Sequence, residues 1–217
     1  MNEHAVNEGV ERQLMWRYAT KRFDPTKAIS ERDWGTLEQA ILTAPSSFGL
    51  QPWRAITVSD NALREKLRSA SWNQPQLVES SHLVVLAAKT SMSSNDVDHA
   101  LECLCRTREI SMESLAGYRG VILSFLQALE SRGSVESWCT HQAYIALGTL
   151  LTTAALIEVD ACPLEGIEPA AYDEILGLEK LGLTTKVACA LGYRSEHDPS
   201  ATLKKARIPR EELFLRR

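Results

Sequence analysis

Two basic blocks near opposite ends of the chain are the residues best suited to chemistry. The first reads Arg17-Tyr18-Ala19-Thr20-Lys21-Arg22-Phe23, the second Lys204-Lys205-Ala206-Arg207-Ile208-Pro209. Guanidinium and ammonium groups fixed around one point make an oxyanion site, because each charge-assisted hydrogen bond to a phosphate contributes about 1.5–3 kcal/mol. Spacing alone does not bring the two blocks together. Taken singly, each is more simply a charge run in solvent.

Other ready-made chemistries are missing from the sequence. No GxGxxG follows a strand pattern and no Walker lysine loop occurs, so neither a Rossmann dinucleotide site nor a P-loop is supported. The absence of GxSxG weighs against an α/β-hydrolase. The cysteines Cys103, Cys105, Cys139, Cys162 and Cys189 are odd in number and scattered among apolar residues, as reduced thiols are. Cys103 and Cys105 lie two apart in a helical pattern and so point away from each other, a poor arrangement for a disulfide or a metal pair. The histidines show no ligand spacing, and no metal is expected.

Composition sets the frame. A chain of 217 residues with 44% hydrophobic and 24% charged content suits one globular domain whose core needs no disulfide or structural metal. A net charge of -4 argues against a phosphate-backbone partner, so no nucleic acid is expected. No apolar run reaches bilayer-spanning length, so no membrane partner is expected. The beginning, MNEHAVNEGVERQ, is polar and acidic and lacks the apolar stretch of a signal peptide. The expected compartment is cytoplasmic.

The elements that must position the basic blocks follow from periodicity. Residues 8–18 read as a short helix. Ser30, with Asp33 three positions on, reads as the cap of a helix through Trp34, Leu37 and Ile41 that Pro45 stops. Residues 45–53 form a breaker-rich loop, 54–59 a strand, 61–70 a helix, and 82–89 a strand apolar on both faces. Residues 95–158 are helical in pattern, with breaks near Gly117–Gly120 and Arg132–Ser134. The stretch from Val135 to Glu158 is apolar on most faces and must be buried all round, which predicts cover from a second subunit. Pro163–Gly166 reads as a loop, Pro169–Gly177 as a helix, Lys186–Gly192 as a third strand, and 212–217 as a β-capable tail. Strands separated by helices predict a mixed α/β or α+β domain over 1–217, with a helical excursion at about 95–132.

Against that frame of elements, the sequence resembles the nitroreductase family, particularly its oxygen-insensitive nitroreductase and dihydropteridine-reductase-like branch. Four blocks carry the resemblance, in family order: RYATKRFDP (17–25), APSSFGLQPW (44–53), PLEG (163–166) and LKKARIP (203–209). A fifth, WNQP (72–75), precedes the HLVVLAAKT strand. The similarity extends from about residue 12 to 209. It implies an α+β fold with a central, mostly antiparallel sheet surrounded by helices, a long dimer-interface helix, and an intertwined homodimer with exchanged C-terminal segments.

The resemblance also implies an FMN site. Arg17, with Tyr18 and Ala19 beside it, would bind the FMN phosphate, completed by Lys205 and Arg207. Lys21, Asn73 and Gln76 would reach the pyrimidine edge of the flavin. The turn Pro163, Leu164, Glu165 and Gly166 would lie over the ring and offer a backbone N–H near N5. Pro45, Ser46 and Ser47 would come from the other subunit. Phe48, Trp72 and Phe125 are candidates for the pocket over the flavin, with plain core packing as the alternative for each. No side chain is expected to be catalytic, because flavin N5 carries the reaction; Glu165 is expected to act through its backbone. A cation at the pyrimidine edge stabilises the negative charge that reduction places there. Positioning of NAD(P)H against N5 does the remaining work.

Four positions depart from the family pattern: Ala19 for a serine, Gly49 for an asparagine, Gln76 for a lysine and Lys204 for a proline. The expected activity is transfer of electrons from NAD(P)H to small acceptors such as nitroaromatics or quinones by a ping-pong mechanism. The alternatives are the same fold with other flavin chemistry (reductive dehalogenation or flavin fragmentation) and a non-enzymatic flavin-binding protein.

Overall fold

The computed structural model describes residues 3–217, with side chains from Val6 onward. Helix α1 spans Glu3–Trp16, so it begins and ends earlier than the 8–18 pattern predicts. Helix α2 (Glu31–Leu42) starts as expected, with Ser30 Oγ accepting the Asp33 N–H at 3.1 Å. Strand β1 (Trp53–Thr57), helices α3 (Asn61–Ser69) and α4 (Gln76–Glu79) and strand β2 (His82–Lys89) follow. Then come α5 (Ser94–Arg108), α6 (Ala116–Glu130), α7 (Val135–Leu156), β3 (Asp160–Leu164), α8 (Pro169–Leu176), β4 (Leu183–Gly192) and the single turn α9 (Arg210–Leu213).

Three expectations need correction. The break expected at Gly117–Gly120 falls earlier, where Glu109 ends α5 in the left-handed region at φ 55 and α6 begins only at Ala116. Gly117 and Gly120 lie inside α6, each costing about 1 kcal/mol against alanine; burial of Ile122 and Leu126 on the same helix offsets this. Pro163 and Leu164 are strand, not loop. β3 pairs with β4 on one side and, among the described residues, meets only the isolated bridge Ala19–Ala161 on the other, and such an edge tolerates a proline. Finally, the tail forms the turn of α9 before extending at Phe214, and Leu213, Phe214 and Leu215 are exposed.

The sheet has order β1-β2-β4-β3 and every pairing is antiparallel, which resolves the class to α+β. Strand β2 alternates its load: Val84 and Leu86 pack with α2 and α7, while Leu83 and Val85 pack with α3 and α8. All four are fully buried. Each such side chain contributes about 1.5–3 kcal/mol relative to exposure, which is why this strand is apolar on both faces. Helices α5 and α6 bury Val97, Leu101, Ile122 and Leu126 in a separate cluster against Trp138 and Cys139 of α7.

Helix α7 backs the sheet with Ala143, Ala146 and Leu150. Its apolar character continues onto a stripe that the single chain leaves open, with Ile145 at 43% and Leu156 at 45% exposure.

Candidate functional site

After α1 the chain turns extended and runs along the ends of β3 and β4. Ala19 bridges Ala161 and Phe23 bridges Arg194. The Asp24 N–H donates to Tyr193 O at 2.8 Å and the Ser195 N–H to Arg22 O at 2.9 Å. The first basic block is thereby laid across the segment that leads to the second.

Asp198 fastens the two. Its Oδ2 accepts the N–H groups of Lys21 at 2.8 Å and Arg22 at 3.2 Å and the Tyr18 hydroxyl at 3.0 Å; Oδ1 accepts the Ser200 N–H at 2.8 Å. Burial pulls the carboxyl upward in pKa, but these donors outweigh it and hold it below the usual carboxylate range. Burial, and then the bond to Asp198, push the Tyr18 hydroxyl up to about 12, so it stays a donor.

The result is a cavity of about 570 Å³ lined by Arg17, Tyr18, Ala19, Arg194, Lys205 and Arg207, among others. The blocks therefore meet. Burial, then repulsion from Arg17 and Arg207, pull the Lys205 ammonium below its ordinary value. Lys205 Nζ donates to the carbonyls of Leu14 at 2.8 Å and of Arg17, closing the C-terminal end of α1. Arg207 is exposed, its Nη1 on Ala206 O at 2.6 Å. Arg17 Nε is buried and has no hydrogen-bond partner among the described residues. A buried N–H donor without a partner costs about 1–3 kcal/mol, so the cavity fits an oxyanion.

Three residues of this site were not foreseen. Asp160, 4% exposed, accepts the Arg194 backbone N–H at 2.9 Å and the Arg194 Nε at 2.9 and 3.1 Å. The guanidinium also lies over the rings of Trp16 and Tyr18, at 4.2 and 4.6 Å from their centroids. Asp160 is the lone charge in the apolar run Val159–Leu164, a signal that could have marked it as paired. Arg194 and Asp198 sit between β4 and the second basic block, where nothing in their types predicts their partners.

A second cavity, also about 570 Å³, opens beside Lys21 and is lined by Trp72, Asn73, Gln74 and Gln76. Trp72 and Asn73 are successive left-handed residues, at φ 53 and φ 55, a conformation costly for a tryptophan. It leaves Trp72 75% exposed with its ring over Gly166. A Cβ on Gly166 would lie 2.8 Å from that ring, so only glycine fits there unless Trp72 moves. Gln74 Nε2 donates to Gly166 O at 3.0 Å.

Gln76 is buried, its Nε2 no closer than 4.0 Å to the Cys162 thiol, and its Oε1 has no partner among the described residues. Burial raises the Cys162 thiol beside Gln76 more than Lys21 lowers it, and Lys21 and Arg22 are the cations that line the cavity. A neutral buried carboxamide whose oxygen is unpartnered and whose amide reaches only a distant thiol fits a ligand edge that carries both an N–H and a carbonyl.

The turn after β3 carries Glu165, whose carboxylate accepts the Tyr144 hydroxyl from α7. Burial, then this bond, raise the Tyr144 hydroxyl. Glu165 is thus pinned to a helix that also runs along the open stripe. Pro163, Leu164, Glu165 and Gly166 line neither cavity within one chain, and neither do Pro45, Ser46, Ser47, Phe48 and Phe125. The Ser47 N–H donates to Gln142 Oε1 at 2.9 Å, and Phe48 packs edge-on to Phe125 at 5.2 Å. Among the described residues no cluster of three or more His, Cys, Asp or Glu could hold a metal ion, and no helix is long and apolar enough to cross a membrane.

Comparison with known proteins adds a family. The family model described as Nitroreductase family matches residues 14–193. A Staphylococcus aureus protein named as an NAD(P)H nitroreductase is 31% identical over 210 residues, covering 93% of each chain. A Bacillus subtilis crystal structure named as a nitroreductase superposes with a TM-score of 0.83 at 19% identity, covering 100% of both chains. Another, from Exiguobacterium sibiricum and solved in complex with FMN, gives 0.75 at 19% identity, covering 96% of this chain and 97% of that one.

Proposed function

The chain belongs to the nitroreductase family of NAD(P)H-dependent oxidoreductases, and from that premise we propose that it is an FMN enzyme working as a homodimer. It passes electrons from NAD(P)H to small acceptors such as nitroaromatics or quinones by a ping-pong mechanism, in the cytoplasm, as a single domain. One observation carries the FMN reading: the cation cavity, with the unpartnered Arg17 Nε, lies beside the cavity of Lys21, Asn73 and Gln76, whose Oε1 is unpartnered. A phosphate at one end and an imide-like edge at the other describe FMN. The FMN held by the Exiguobacterium protein supports the same reading.

Bound FMN would supply two-electron exchange between donor and acceptor. The residues supply the rest. Arg17, Tyr18, Ala19, Lys205 and Arg207 would surround the phosphate. Lys21 would place a positive charge at the pyrimidine edge, and Asn73 and Gln76 would orient that edge by hydrogen bonds. Pro163 and Leu164 at the end of β3, with Glu165 and Gly166 in the turn that follows, would lie against the ring, and the Gly166 position leaves room for Trp72 above it. No side chain here is assigned as acid or base.

The homodimer is supported by the open apolar stripe on α7 and by the exposed tail of Leu213, Phe214 and Leu215. A second copy would cover the first, and exchange of the tail would cover the second. The edge strand β1 offers a groove for it, lined by Trp34, Ile41, Leu42 and Trp53. In such a dimer Pro45, Ser46 and Ser47, with Phe48 and Phe125 behind them, would complete the partner's pocket. Steady-state kinetics test the mechanism: parallel double-reciprocal lines for NAD(P)H against a quinone are expected, and intersecting lines would refute the ping-pong order.

A further inference from the structure

We propose that Arg194 is a fixed cation of the anion cavity and the residue that makes it prefer a phosphate-bearing flavin to the same flavin without its phosphate. The proposal rests on the FMN reading and adds to it a residue outside both basic blocks.

The geometry of the cavity's cations points to it. Lys205 Nζ is engaged by the carbonyls of Leu14 and Arg17, and Arg207 is exposed at the rim with Nη1 on its own neighbour's carbonyl. Neither is fixed toward the cavity. Arg194 lines that cavity and is held on several sides. Asp160 receives its Nε on both oxygens and its backbone N–H on Oδ2, and Nη2 lies 2.6 Å from Oδ1. Thr20 Oγ1 donates to the same carboxylate at 3.3 Å, tying the arrangement to the first basic block. The aromatic rings of Trp16 and Tyr18 lie against the Arg194 Cζ and add cation–π contacts.

The donors that remain are what a phosphate needs. Only Nε hydrogen-bonds the Asp160 carboxylate; Nη2 lies close to Oδ1 but is buried without a hydrogen-bond partner, and Nη1 has none among the described residues either. A planar guanidinium already locked in one orientation loses little freedom when it binds, so its remaining N–H groups act at low entropic cost. Asp160 neutralises Arg194 as a charge without removing those donors. Arg17, Lys204, Lys205 and Arg207 supply the net positive charge, and Arg194 supplies direction.

The test is the ratio of riboflavin to FMN dissociation constants, measured by flavin fluorescence quenching on the apoprotein. The double variant Arg194→Met with Asp160→Asn removes the cation without leaving a buried carboxylate unpaired. We expect its FMN affinity to fall about tenfold or more while riboflavin affinity holds, so the ratio collapses. Arg194→Lys keeps Asp160 paired, and should lower the ratio about threefold or more through loss of the planar fork. A ratio unchanged in both variants, or equal loss of both ligands, overturns the assignment and makes Arg194 a structural residue. Wild-type protein that binds FMN no better than riboflavin would instead overturn the phosphate reading of the cavity itself.

Discussion

Asp198 Oδ2 accepts the backbone N–H of Lys21 at 2.8 Å across 177 positions of sequence. The same carboxylate takes Arg22 and Ser200 N–H groups and the Tyr18 hydroxyl, so one side chain aligns both basic segments. Asp198→Ala leaves those donors without their acceptor in a buried place. It should destabilise the protein by roughly 2–4 kcal/mol and weaken FMN binding with it. Urea unfolding of the apoprotein measures the first effect; a loss below about 0.5 kcal/mol would mean that water replaces the carboxylate without cost.

Acid should act through the same group. The folded-state pKa of Asp198 is depressed, so its stabilisation is fully present above the unfolded carboxyl value near 4 and is lost as pH falls through the lowered folded value. Wild-type stability should therefore decline below about pH 4 more steeply than that of Asp198→Asn, which has no such proton to take up. Parallel acid titrations of the two proteins would contradict this.

The sign of a substitution at Gln76 should depend on the ligand. Gln76→Leu removes a buried carboxamide whose Oε1 lacks a partner, so the apoprotein should hold or gain stability, by up to about 1 kcal/mol. FMN should bind it several-fold more weakly. A variant less stable without FMN, yet unchanged in affinity, would show that Gln76 is structural.

Gly166→Ala tests the turn under Trp72. The added methyl would meet the ring at 2.8 Å, and the ring is the exposed end of a side chain that can swing away. Trp72 should move, with a change in tryptophan emission and a fall in turnover with NAD(P)H, while global stability changes by less than about 1 kcal/mol. Unchanged emission and turnover would remove the steric role assigned to Gly166.

On α7, Ile145→Glu places a charge on the open apolar stripe. It should give a monomer that has lost most of its FMN affinity, read by sedimentation and flavin retention. A variant that stays dimeric with full flavin would place the interface elsewhere.

What could be read in advance was local. Strand β2 declared itself because both of its faces are buried, which leaves an unbroken apolar run. Ser30 declared α2 because capping is a contact over three residues. β3 was hidden by Pro163, which a sheet accepts only at an edge, and edge position is a property of the whole sheet. The true break after α5 rests on Glu109 in the left-handed region, where residue type gives no warning, while Gly117 and Gly120 gave a false one. The basic blocks could be named, but their meeting depends on Asp198 and Asp160, long-range acceptors whose partners no local pattern encodes. The expected cluster at Pro45, Ser46 and Ser47 is incomplete in one chain for the same reason: its partner would be another copy.

The most direct measurement is an anaerobic absorbance titration of the purified protein with NADH and NADPH. The account predicts a flavin band near one FMN per chain that bleaches on addition of one or both donors. A colourless protein that also fails to take up added FMN would contradict it, and would return both basic blocks to the role of solvated surface.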